Sequence, residues 1–146
     1  MNLQAFLPYR LAVVADAVSR ALAAVYANRF KLTRDQWRVI AQLAEERELK
    51  ATELGTRTSL PKMQVSRALA GLERDGLITR AIDPDDRRKL VVRLTAAGRV
   101  LYRKIEPIVL EREAFLLQAL SSDERAALTL ALARVEQRAR QLQQTS

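Results

Sequence analysis

A chain of 146 residues, 49% of them apolar, is long enough for one domain with a real core, and its formal charge of +8 suits a polyanionic partner. It has no cysteine and no histidine, which excludes disulfides, thiol chemistry and zinc sites built on those ligands and removes the usual general base near neutral pH; a metal site made only of carboxylates stays open but has no motif behind it, and no cofactor or metal is expected. No unbroken apolar run approaches the ~18–20 residues of a membrane span, and Met1-Asn2-Leu3-Gln4 does not open a secretory signal, so a cytoplasmic location without membrane attachment is expected.

Leu7, Leu11, Val14, Val18, Leu22, Val25 and Tyr26 recur mainly at steps of three and four, which predicts a long amphipathic helix over residues 7 to 29. Thr33 and Gln36 have capping-box spacing and open a second helix with Trp37, Val39, Ile40 and Leu43 at its apolar positions. A short helix over 52 to 58 precedes one that starts at Pro61 or Lys62 and runs to Arg74, where Gly76 is placed to take the left-handed stop. Two strands follow, over 77 to 82 and 89 to 94, the second with Leu90, Val92 and Leu94 alternating onto one face. Thr95 caps a helix reaching about residue 120, and Ser121 with Glu124 forms a second capping box for a last helix reaching about 142. The fold class is mainly α (α+β): a winged helix-turn-helix with a two-stranded wing and flanking helices at both ends.

On a helical wheel Val65, Leu69 and Leu72 face inward, while Met63, Arg67, Ala70 and Arg74 lie opposite and Gln64, Ser66 and Gly71 flank them. With Lys62 at the helix start, Met63, Gln64, Ser66, Arg67 and Arg74 are therefore candidate DNA contacts, because Arg and Gln offer the forked donors that read guanine and adenine edges in the major groove. The loop Asp83-Pro84-Asp85-Asp86-Arg87-Arg88 adds Arg87 and Arg88, suited to the adjacent minor groove. Its carboxylates oppose DNA unless Asp83 or Asp85 pairs with one arginine and braces the loop, leaving the other free. Charge is distributed accordingly: residues 50–100 carry +5, against +2 before and +1 after.

The stretch from Glu53 through Gly98 resembles the MarR family of bacterial transcription regulators. The resemblance rests on Val65-Ser66-Arg67, on Leu72-Glu73-Arg74-Asp75-Gly76-Leu77-Ile78, on the wing loop, and on Leu94-Thr95-Ala96-Ala97-Gly98-Arg99. Pro61 departs from it, standing where the family often has a capping serine; Ser59 is the alternative cap. The resemblance implies a homodimer with residues 1–30 and 96–146 as dimerisation helices and 31–95 as the DNA-binding lobe. It implies a pseudo-palindromic double-stranded operator, repression, and release by a small, frequently aromatic acid. Apolar stripes at Leu7, Leu11, Val18 and Leu22 and at Leu128, Leu132, Val135 and Leu142 would serve the dimer, with packing of both stripes inside one monomer the competing reading. Tyr9, Arg10 and Trp37 are the candidate effector contacts, with Trp37 as plain core the competing reading. Two other readings stay open, a winged-helix protein–protein adaptor and an architectural DNA-binding protein with little sequence preference. An enzyme is the poorest candidate, since no residues suggest themselves for catalytic roles.

Overall fold

A computed structural model describes all residues, Met1–Ser146. The chain forms two compact units, Met1–Val109 and Leu110–Ser146. The elements are α1 (Leu7–Ala23), α2 (Arg34–Glu45), β1 (Leu49–Lys50), α3 (Ala51–Thr58), α4 (Lys62–Arg74), β2 (Ile78–Ile82), β3 (Leu90–Leu94), α5 (Ala96–Leu117) and α6 (Ser122–Gln144). The fold class is the expected winged helix with flanking helices.

In the first unit, α1 starts with Pro8 in its first turn, where a missing amide leaves no bond unmade, and ends in a π-helical turn over Ala24–Arg29. The expected Thr33–Gln36 capping box is present: the Gln36 amide donates to Thr33 Oγ1 at 3.1 Å, and the Thr33 amide donates to Gln36 Oε1 at 3.0 Å. Val39, Ile40 and Leu43 of α2, Leu54 of α3, Val65, Leu69 and Leu72 of α4, Ile78 and Val92 of the sheet and Ile105 of α5 close one core. Ser59, Leu60 and Pro61 link α3 to α4, and Ser59 turns the chain in a left-handed conformation at φ +56°. Ser59 is therefore the C-cap of α3 and not a cap for α4; the carbonyl of Pro61 takes that end, accepting from the Val65 amide at 3.0 Å.

At the far end of α4, Gly76 has φ +74°, as expected. Its amide donates to the Glu73 carbonyl at 3.0 Å, and the Leu77 amide donates to the Leu72 carbonyl at 2.9 Å, a Schellman motif that turns the chain straight into β2. Thr95 reinforces this corner, its hydroxyl donating to the Gly76 carbonyl at 2.7 Å and accepting from the Gly98 amide at 3.0 Å to start α5.

Three expectations need correction. The sheet has three strands in the order β1-β3-β2, all neighbours antiparallel, because the two-residue β1 pairs Leu49 with Val92 beside the hairpin. Leu90 does not share the burial of Val92 and Leu94; it pairs with Ile82 beyond the core and is 39% exposed. The helical stretch Leu7–Arg29 is also long and apolar enough to cross a bilayer, although Asp16 and Arg20 leave it without an unbroken apolar run. Those two side chains pair at 3.1 Å. The same composition equally suits a helix packed on another protein helix.

In the second unit, Ser121 and Glu124 form the expected capping box of α6. Arg125 Nε donates to the Leu117 carbonyl at 2.9 Å and so satisfies a carbonyl that the end of α5 leaves open. No residue of α6 is buried, and Leu128, Leu130, Leu132, Val135 and Leu142 are exposed.

Candidate nucleic-acid interface

Burial of Val65, Ala68, Leu69 and Leu72 turns the opposite side of α4 outward. Lys62, Met63, Ser66, Arg67, Ala70 and Arg74 are exposed, and Met63 keeps 66% of its surface accessible. Arg67 makes no ion pair, and Arg74 only approaches its neighbour Asp75 at 3.9 Å. Gln64 is half-buried and, with Arg67, lines a groove of about 290 Å³ against Thr33, Asp35 and Gln36 at the start of α2. Gly71 is buried, so it does not flank the outward face as the wheel suggested. Instead it gives room to Gln36, whose Nε2 would lie 2.6 Å from a Cβ at that position.

The wing loop is braced at two points. Asp83 is buried; its Oδ1 accepts from the Asp85 amide at 2.9 Å, its Oδ2 lies 3.9 Å from Lys50 Nζ, and its own amide donates to the Lys89 carbonyl at 2.9 Å. Asp86 accepts from both the amide (3.1 Å) and Nε (3.2 Å) of Arg88 and lies 3.9 Å from Lys89 Nζ. The hydrogen bonds from Arg88, then the charges of Lys89 and Lys50, hold the Asp86 carboxyl below its ordinary range. Neither Asp83 nor Asp85 pairs with an arginine, contrary to expectation. Asp86 does, because an Asx turn brings its carboxylate back onto the residue two positions on. Asp85 contributes only its amide, and Arg87 is exposed and unpaired.

The three residues expected around an effector do not line one cavity. Trp37 stacks between Tyr26 (ring centroids 6.3 Å apart) and Tyr102 (5.8 Å). It also lines a cavity of about 300 Å³ with Arg38, Ala41, Gln42, Glu45, Arg57 and Thr58, which neither Tyr9 nor Arg10 reaches. Arg57 is committed to Glu46 at 2.9 Å and approaches Glu53 at 3.9 Å, whereas Arg38 forms no ion pair. Tyr9 is half-buried and Arg10 exposed on α1. Tyr102 donates to Glu106 Oε1 at 2.9 Å; burial first, then this bond and the charges of Glu106 and Glu45, push its phenol up to about 12.

Sequence reasoning passed over Lys50, Asp86, Arg38 and Tyr102. The Asp-x-Arg spacing of Asp86 and Arg88 was a usable signal. Lys50 and Asp83 are too far apart in the chain to suggest one another.

Two helices joined by a three-residue turn, the second exposing a polar and basic face beside a hairpin with an arginine tip, define a winged helix-turn-helix. A model described as MarR family matches residues 30–89. The homoprotocatechuate degradative operon repressor of Escherichia coli is 34% identical over 79 residues, 54% of this chain and 53% of that protein. The chain thus spans about half the length of the curated relatives it matches. A MarR family regulator from Silicibacter pomeroyi superposes with a TM-score of 0.77 at 27% identity, covering 92% of this chain and 90% of that one. NadR, in complex with 4-hydroxyphenylacetate, superposes with a TM-score of 0.76 at 27% identity, covering 90% and 92%. Residues 30–89 therefore carry the MarR family pattern, and the chain shares the fold of MarR family transcriptional regulators.

Proposed function

We propose that this protein is a homodimeric repressor that reads a pseudo-palindromic DNA site and releases it on binding a small aromatic acid. The observation that carries this reading is the outward face of α4, with Arg67 unpaired, placed a short hairpin away from the unpaired Arg87. In the proposed complex α4 enters the major groove. Arg67 and Gln64 read base edges, Met63 and Ser66 contact bases or sugars, and Lys62 and Arg74 meet phosphates. Arg87 enters the minor groove; Arg88, tethered to Asp86, holds the loop and meets the backbone.

The dimer is supported by apolar side chains left in water. Leu7, Leu11 and Val14 are exposed on α1, as are Leu128, Leu132, Val135 and Leu142 on α6, more than isolated surface leucines would explain. Residues 1–30 and 96–146 are accordingly assigned to dimerisation and 31–95 to DNA binding. Repression is supported by the name of the Escherichia coli relative, and an aromatic acid effector by the 4-hydroxyphenylacetate bound to NadR. Within this chain the cavity beside Trp37 and Arg38 offers a ring to stack on and an uncommitted guanidinium for a carboxylate. To release DNA, that ligand must favour a lobe spacing that DNA does not.

Selection from a randomised duplex library tests the reading. The expected product is an inverted repeat with half-site centres about 10 base pairs apart, one helical turn. Enrichment of no sequence would favour an architectural role. No binding even at low salt would favour an adaptor.

A further inference from the structure

The corner between α4 and β2 carries a fork-on-fork ion pair. Arg80 Nε donates to Glu73 Oε2 at 3.2 Å, and Arg80 Nη2 donates to Glu73 Oε1 at 3.0 Å. The hydrogen bond from Arg80 holds the Glu73 carboxyl below its ordinary range and raises the guanidinium in turn. No other ion pair joins α4 to the sheet. Both side chains remain partly in water, 42% and 27% exposed, so a pair of this kind contributes little to stability. Its geometry matters more, because a bidentate pair fixes an angle as well as a distance.

We propose that Glu73 and Arg80 are positioning residues for DNA reading, setting the angle between α4 and the wing so that both grooves are entered together. This rests on the DNA-binding reading above. The strand β2 carries the chain from the Schellman corner to the wing loop over five residues. At ~3.4 Å per residue it is a lever of ~17 Å, so a rotation of about 5° at the corner displaces the tip by ~1.5 Å. That exceeds the latitude of a hydrogen bond. Arg80 itself is a poor phosphate ligand, since its Nε and Nη2 already serve Glu73.

The role separates from simple electrostatics by sign. Glu73→Gln removes a negative charge from a chain of net +8. If Glu73 only repelled phosphates, the variant would bind every duplex more tightly and keep its sequence preference. Positioning requires the preference to fall while binding to unrelated DNA holds or tightens.

The probes are the duplex that the wild-type protein enriches from a random library and a shuffled duplex of the same composition, compared by fluorescence anisotropy over a salt series. Glu73→Gln and Arg80→Gln are each expected to lower the ratio of the two affinities about tenfold, with melting temperatures near wild type. The swapped double variant Glu73→Arg with Arg80→Glu is expected to recover most of the ratio. Ratios within about twofold of wild type in both single variants would overturn the proposal. So would an Arg80→Gln salt slope shallower by ~0.9 on both duplexes, which would make Arg80 a direct phosphate contact. A wild-type protein that enriches no sequence would instead sink the DNA reading itself, and the pair's role with it.

Discussion

Gly98 packs against the carbonyl of Leu77 so closely that a Cβ at residue 98 would penetrate the oxygen and stand 3.0 Å from Leu94 Cδ2. Thr95 is bonded to the same corner through the carbonyls of Gly76 and Leu77. The Leu-Thr-x-x-Gly sequence is therefore the contact by which α5 starts on the turn between α4 and β2. Backbone cannot retreat as a side chain can. Gly98→Ala is expected to destabilise the fold by about 1–3 kcal/mol, measured by chemical denaturation. Gly71→Ala meets the flexible end of the Gln36 side chain, with Arg74 Nη2 at an ordinary contact distance of 3.6 Å, and the helix propensity gained by alanine offsets about 1 kcal/mol of any capping loss. A larger loss from Gly71→Ala than from Gly98→Ala would contradict this contrast.

Arg67 is the exposed, uncommitted guanidinium near the middle of the α4 face. Arg67→Ala is expected to lose about 1–3 kcal/mol at one base pair of each half-site and to relax preference there. Binding measured on single-base variants of the enriched duplex checks this. An even loss over all of them would make Arg67 a phosphate contact.

The two wing arginines should not be equivalent. Arg87→Ala is expected to weaken binding chiefly where the flanks are A·T-rich, since a narrow minor groove deepens the negative potential. Arg88→Ala should have the smaller effect, because Asp86 already holds that side chain. Anisotropy on duplexes with identical half-sites and A·T- or G·C-rich flanks separates the two. Equal losses on both flanks for Arg87→Ala would count against minor-groove entry.

Tyr102 offers a pH test of the ring stack. Its phenol is pushed up to about 12 by burial and by Glu106 and Glu45, whereas an unfolded tyrosine ionises near ~10. The folded state therefore holds this proton more firmly, and the stability linked to it is complete below pH ~10 and lost as pH rises toward 12. Ultraviolet titration of phenolate should show a late step that Tyr102→Phe removes and Glu106→Gln moves to lower pH. Persistence of that step in Tyr102→Phe would assign it elsewhere.

The helices were legible because their signals are local. Thr33 and Gln36, Ser121 and Glu124, and the Val65–Leu69–Leu72 spacing all lie within two turns of chain, and each forms as expected. The strand β1 was not, because two residues carry no periodicity and pair with Val91 and Val92 across about 40 positions. The same limit hid Lys50 behind Asp83 and Gln36 behind Gly71. In the wing the brace was expected at Asp83 or Asp85, although the two-residue spacing of Asp86 and Arg88 already allowed the Asx turn that forms. The Glu73–Arg80 pair was hidden similarly, since its two residues belong to different elements and meet only once Gly76 turns the chain.

The most direct test of DNA reading is anisotropy of the purified full chain with DNA flanking its own gene, against scrambled DNA, over a salt series. The expected result is a salt-dependent preference of about 10³-fold or more for the flanking DNA. Equal affinity for both duplexes, or none for either at low salt, would contradict a sequence-specific regulator acting at its own gene.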